Sequence, residues 1–169
     1  MRCFRLGLML LLLNACAQQP IAPTAVDPTS WSMETKIAFS GPHGSGSGYA
    51  SFDYTPGLLS GELRGAFGLG KSRIDCNLSY CDISTKDSEN RLWLNQGNLE
   101  LQHNLLLPVQ VLPHWLMGDA TEDAPSLGWD IEIGAWQVQS GVRLPQSLHL
   151  RHVSGNTLKI FVVHWTARP

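Results

Sequence analysis

Gln146-Ser147-Leu148-His149-Leu150-Arg151-His152-Val153 and Thr157-Leu158-Lys159-Ile160-Phe161-Val162-Val163-His164-Trp165, parted by Ser154-Gly155-Asn156, decide how the chain folds. Apolar side chains recur at every second place in both runs, the period of a half-buried strand. The turn residues between them close a hairpin. Trp129-Asp130-Ile131-Glu132-Ile133 alternates in the same way, and Ala135 to Gln139 continues it beyond Gly134. Earlier runs at 34–40, 49–54, 59–65, 73–76, 81–84 and 91–94 also read as strands, with Pro56-Gly57 as one turn. About ten short strands in series predict a mostly β protein built on one strongly curved antiparallel sheet.

Helix is expected once, as an insertion. Residues 98–106 are its first candidate. Pro108 suits the opening of a second helix, where a missing N–H costs nothing. Val111, Leu112, Trp115 and Leu116 form its apolar stripe, and Gly118 stops it. Pro113 falls early in that helix. The stripe fits a lid packed on a sheet.

At the start, Arg2 and Arg5 precede the short apolar run Leu6 to Leu13, followed by Asn14-Ala15-Cys16. This is the form of an export signal. The run is far shorter than the roughly twenty residues of a spanning helix. Leu13-Asn14-Ala15-Cys16 resembles a bacterial lipobox, which implies removal of residues 1–15 and acylation of Cys16, with an N-acyl chain and an S-diacylglycerol. Residues 16–30, with three prolines and no apolar periodicity, are expected as a tether. Residues 31–169 form one domain, a length that sustains a real core.

Formal net charge is −2, so the totals point to neither nucleic acid nor an acidic membrane surface. Of four cysteines, Cys3 leaves with the signal and Cys16 is lipidated. Cys76 and Cys81 remain. In an oxidising compartment a structural disulfide is the preferred reading, with free thiols next. No further ligands lie near them for a metal.

Chemistry is sparse. No Gly-x-Ser-x-Gly occurs, and none of the six histidines has metal-ligand spacing. Gly41 to Gly48 holds four glycines but lacks the lysine and following helix of a phosphate cradle. The acidic run 119–126 lacks the ligand spacing of a calcium loop and reads as solvated. No catalytic residue, metal or other cofactor is expected, and the chain reads as a binding protein. Gly65-Ala66-Phe67-Gly68-Leu69-Gly70 sets two large apolar side chains among glycines that cannot cover them. One of the two is expected at the surface, or else turned back into the core.

Leu107-Pro108-Val109 with Leu112-x-x-Trp115-Leu116-x-Gly118 resembles the LolB family. So do Gly128-Trp129-x-Ile131, Leu144-Pro145-x-x-Leu148-x-Leu150, Leu158-Lys159-Ile160 and Trp165 in that order. Upstream, Leu63-x-Gly65-Ala66-Phe67-Gly68 is similar to the family's loop motif, with Phe67 at its leucine. The likeness runs from about residue 34 to 166. It departs in having only 30–33 where the family usually has a helix before the first strand.

The resemblance implies an unclosed β-barrel of LolA/LolB type with a short helical plug and an apolar cavity for acyl chains. It implies an outer-membrane lipoprotein facing the periplasm, monomeric, which takes lipoproteins from the carrier LolA and inserts them. Phe67 inherits the membrane-insertion role by position, with Leu69 next. Phe52, Trp93, Trp115 and Trp129 are the candidates to line the cavity. The competing expectation is a structural or assembly lipoprotein whose barrel is a protein- or lipid-binding module. A lipid-processing enzyme ranks last.

Overall fold

The computed structural model describes residues 30–42, 44–65, 70–101, 105–119, 124 and 127–168. Cys16, Phe67 and Leu69 lie outside them. Eleven strands and one helix occur among these residues. β1 (Trp31–Gly41), β2 (Gly44–Thr55), β3 (Leu58–Arg64), β4 (Lys71–Cys76), β5 (Tyr80–Ser84) and β6 (Glu89–Trp93) form an antiparallel meander. β7 (Asn98–Leu101), β8 (Leu105–Pro108) and α1 (Leu112–Met117) follow as an insertion. β9 (Trp129–Gln139), β10 (Val142–His152) and β11 (Thr157–Ala167) then return, and β11 pairs with β1.

The sheet order is β6-β5-β4-β3-β2-β1-β11-β10-β9. β6 and β9 are its two edges and do not pair with each other, so the sheet is not closed. The expected mostly β, unclosed architecture with a short helix is therefore the observed one. Curvature has local causes. β1 and β11 shift register between Glu34 and Thr35, and β10 shifts against β9 around Pro145 and Ser147. Such bulges bend a strand and sharpen its twist. Opposite the second one, a Cβ on Gly134 would stand 2.7 Å from Ser147 Oγ, so glycine admits the close approach.

Three segments differ from expectation. The described residues of 98–106 are strand rather than helix: β7 and β8 pair with Asn98 opposite Pro108 and Leu101 opposite Leu105. Gln96 and Gly97 both take positive φ, 52° and 80°, the turn that starts this hairpin rather than a helix. Leu99 is fully buried, so packing overrides the helix preference of leucine and glutamate here. The glycines after Gly41 also belong mostly to a strand, because β2 begins at Gly44. Gly46 lies under the Phe39 ring, where a Cβ would come within 2.5 Å of it.

α1 starts later than expected: Pro108 does not open the helix but ends β8, opposite Asn98, and Val111 is its N-cap, so of the expected stripe only Leu112, Trp115 and Leu116 are helical. Pro113 sits in the first turn, and Gly118 closes the last with φ 91°. The Asp119 N–H donates to the His114 carbonyl at 2.9 Å, satisfying one end carbonyl.

Cys76 and Cys81 face each other across β4 and β5 and are disulfide-bonded. Both are buried. Closing so short a loop contributes about 2 kcal/mol by restricting the unfolded chain. Exported protein should therefore resist alkylation without reductant, and Cys76→Ser with Cys81→Ser should lose about that stability. Two alkylated thiols by mass spectrometry would show the pair open.

Candidate functional site

The inner face of the sheet is apolar from edge to edge. Alternation turns Trp31, Met33 and Ile37 of β1 inward, with Ala50 and Phe52 of β2, Leu59 of β3, and Cys76 and Cys81 beyond them. From the other side come Ile160, Val162 and Trp165 of β11, Leu144, Leu148 and Leu150 of β10, and Trp129 of β9. α1 adds Leu112, Trp115 and Leu116. Trp115 meets Trp129 edge-on, with ring centres 6.3 Å apart, and Trp31 meets Tyr54 at 5.5 Å. Phe52 fits because its cross-strand neighbour is Gly61, whose missing side chain leaves the ring room.

Polar groups inside are few and mostly bonded. The Thr35 hydroxyl donates to the Ala50 carbonyl at 3.1 Å. Gln137 Nε2 donates to the Val162 carbonyl at 3.3 Å, and Gln139 Oε1 accepts from the Trp165 N–H at 2.7 Å. These two amides reach from β9 to the β11 backbone, standing in for strand pairing where the bulged β10 has drawn away. The buried Trp165 Nε1–H meets no acceptor among the described residues. An indole donor left unpaired in an apolar interior carries a desolvation cost.

Among the described residues, α1 packs its side chains onto the inner face. A cleft of about 220 Å³ opens at the foot of the β7–β8 hairpin, between Gln96, Asn98, Pro108, Gln110 and Leu127. Ligand pockets run to about 300–1,000 Å³, so this cleft is small for an acyl chain. Trp115, Leu112 and Leu116 occupy the volume that a guest on the inner face would need.

Of the four cavity candidates, the structure brings Phe52, Trp115 and Trp129 to the inner cluster. Trp93 does not join them. It is 70% exposed and stacks edge-on to Tyr80 on the outer face, while Leu92 and Leu94 beside it turn inward. Trp31, Met33 and Trp165, missed as lining candidates, are among the most buried side chains. The alternation Trp31-x-Met33 was the available signal.

The outer face carries a paired polar row. Ser32, Asp53, Ser60, Asp75, Asp82 and Arg91 lie in one register across six strands. Arg73 beside Asp75 holds its carboxyl below the usual range, helped by the Ser60 hydroxyl and opposed by burial. Arg91 does the same for Asp82, at 2.7 Å. Among the described residues no group of three or more His, Cys, Asp or Glu side chains is placed to hold a metal ion. Nor is any helix there long and apolar enough to cross a membrane.

A family model described as outer membrane lipoprotein LolB matches residues 29–165. A curated relative, the outer-membrane lipoprotein LolB of Shewanella sediminis (strain HAW-EB3), is 32% identical over a stretch covering 36% of this chain. That stretch spans 35% of the relative's own length. A solved LolA superfamily protein from Nitrosomonas europaea aligns over 85% of this chain and 88% of its own, with TM-score 0.47 and 9% identity.

Proposed function

The chain belongs to the LolB family of outer-membrane lipoproteins, and from that membership we propose that it accepts lipoproteins from the periplasmic carrier LolA and inserts them into the outer membrane. On this reading residues 1–15 are a removed signal, Cys16 carries the acyl chains, residues 16–30 are a tether, and residues 31–169 are the working domain. The protein works as a monomer on the periplasmic face of the outer membrane. It binds cargo through acyl chains and needs no nucleotide, since cargo passes downhill to a tighter binder. Tenfold tighter binding requires only about 1.4 kcal/mol.

One observation carries the reading: an apolar inner face, unclosed between β6 and β9, that is plugged by the side chains of a single short helix. A hydrocarbon guest fits such a surface without unpaired polar groups. α1 has to yield for it, since Trp115 and its neighbours hold the space. The packed α1 side chains also favour a second reading, in which the barrel is a protein-binding module of a structural or assembly lipoprotein.

Depletion of the protein decides between them. Lipoproteins stalled on the periplasmic carrier are expected, and normal outer-membrane arrival would end the transfer reading. Cys16→Ala is expected to abolish fatty-acid labelling and release the protein from the membrane. A wild-type chain that takes up no label would remove the anchor.

A further inference from the structure

Net charge conceals an arrangement that only strand register reveals. Phe161 of β11 lies opposite Lys36 of β1, Lys36 opposite Tyr49 of β2, Tyr49 opposite Arg64 of β3, and Arg64 opposite Lys71 of β4. These five residues form one row across five neighbouring strands, about 19 Å wide at the usual strand spacing. All five are exposed, Tyr49 by 58% and Phe161 by 45%. Lys159 stands one outward position along from Phe161, opposite Ala38. The Lys36 ammonium is 5.9 Å from the Tyr49 ring centre.

Carboxylates near these rows are Glu62, which bridges Arg64 and Lys71, Glu34 on the next row with Glu89 at its β6 end, and Glu132, which lies beyond His149 in the row of Lys159 and pairs with Arg151. Lys71 Nζ is 2.8 Å from Glu62, and the two cations hold its carboxyl below the usual range. One carboxylate shared by two cations leaves positive charge over. The row of Asp53, Asp75 and Asp82 lies farther along the same strands, toward the end where β1 begins. Positive charge and exposed rings thus share one stretch of the outer face. Arg64 and Lys71 also flank the base of the β3–β4 connection, where the Gly65 N–H donates to the Gly70 carbonyl at 3.0 Å.

We propose that the row Lys36, Tyr49, Arg64, Lys71 and Phe161, with Lys159, is a docking surface for the anionic headgroups of a phospholipid leaflet. Cations near an anionic surface are drawn to it, and a ring with one polar and one apolar aspect, as in Tyr49, settles at the headgroup level. Charge complementarity and the mix of cation with aromatic favour this occupant over an acidic protein. The docking deepens the transfer reading by giving the domain a way to meet the target leaflet. Its test needs neither cargo nor carrier, so the two stand or fall separately.

The domain from residue 17 is used, since among the described residues every buried core side chain lies between Trp31 and Trp165. Flotation with vesicles of phosphatidylcholine alone, and of equal parts phosphatidylcholine and phosphatidylglycerol, measures binding. Binding should be clear only with phosphatidylglycerol and should fall as salt rises. Lys36→Gln with Lys159→Gln should weaken it about 25-fold, about fivefold for each lysine. Arg91→Gln with Arg168→Gln removes the same charge from the far row and should change it less than about twofold. Equal binding to both vesicles, or equal losses in the two double variants, would overturn the proposal.

Discussion

Trp115→Ala is expected to lower the melting temperature of the protein by roughly 10 °C or more. Trp115 is almost wholly buried, held between α1 and the inner face, with its ring against Trp129. Truncating a buried tryptophan costs about 3–5 kcal/mol, from lost transfer energy and the void left behind. α1 has only six residues, too few to persist without its packing. Its one large anchor therefore decides whether the helix stays seated. A circular-dichroism melt that shifts by less than about 3 °C would mean that the helix is not packed into the sheet as described. A large shift would identify α1 as part of the core, so that admitting an acyl chain means displacing packed side chains rather than entering an open hole.

The other large effect concerns delivery. Phe67→Glu is expected to leave the melting temperature nearly unchanged and to block transfer from loaded carrier to membranes. Phe67 stands between Gly65 and Gly68 in the sequence, outside the described residues, and the family resemblance assigns it the insertion role by position, with Leu69 next. A carboxylate forced among hydrocarbon carries a penalty of several kcal/mol, enough to stop insertion. A strongly lowered melting temperature would instead place Phe67 in the core and pass the insertion role to Leu69. Leu69→Glu, measured beside it, separates these outcomes. Normal stability with normal transfer in both variants would remove the loop mechanism.

The strands were legible because alternation is local. Trp129 to Ile133 of β9, Leu148 to Leu150 of β10 and Leu158 to Val162 of β11 place large apolar residues at every second position, and no tertiary context is needed to read them. α1 announced itself through Trp115, Leu116 and the stop at Gly118. The β7–β8 hairpin was not legible. Its leucines suit either period, and the deciding feature, positive φ at Gln96, lies in a residue type with no bias toward it.

The cavity candidates show a different limit. Trp93 and Phe52 look alike in sequence, but a strand has two faces, and a single step in register decides which one points inward. Leu92 and Leu94 flank Trp93, and that flanking settled its direction. The row through Lys36, Arg64 and Lys71 was beyond reach for another reason. Its members come from separate strands, and only the pairing of β1 with β2, β2 with β3 and β3 with β4 brings them level.

β1 begins at Trp31 at one end of the sheet, and the β3–β4 connection leaves from the level of Ile37, six residues along. That separation is about 20 Å along a strand. On the proposed anchoring, the chain from Cys16 to Trp31 is a leash of fifteen residues, with a reach of about 50 Å. Such a leash is longer than the drop it must cover. The domain can therefore lower its far end onto the very leaflet that holds its own acyl chains, with about 30 Å of slack to spare. Anchor and delivery point then share one membrane, and the leash sets the circle of bilayer over which a single molecule can work.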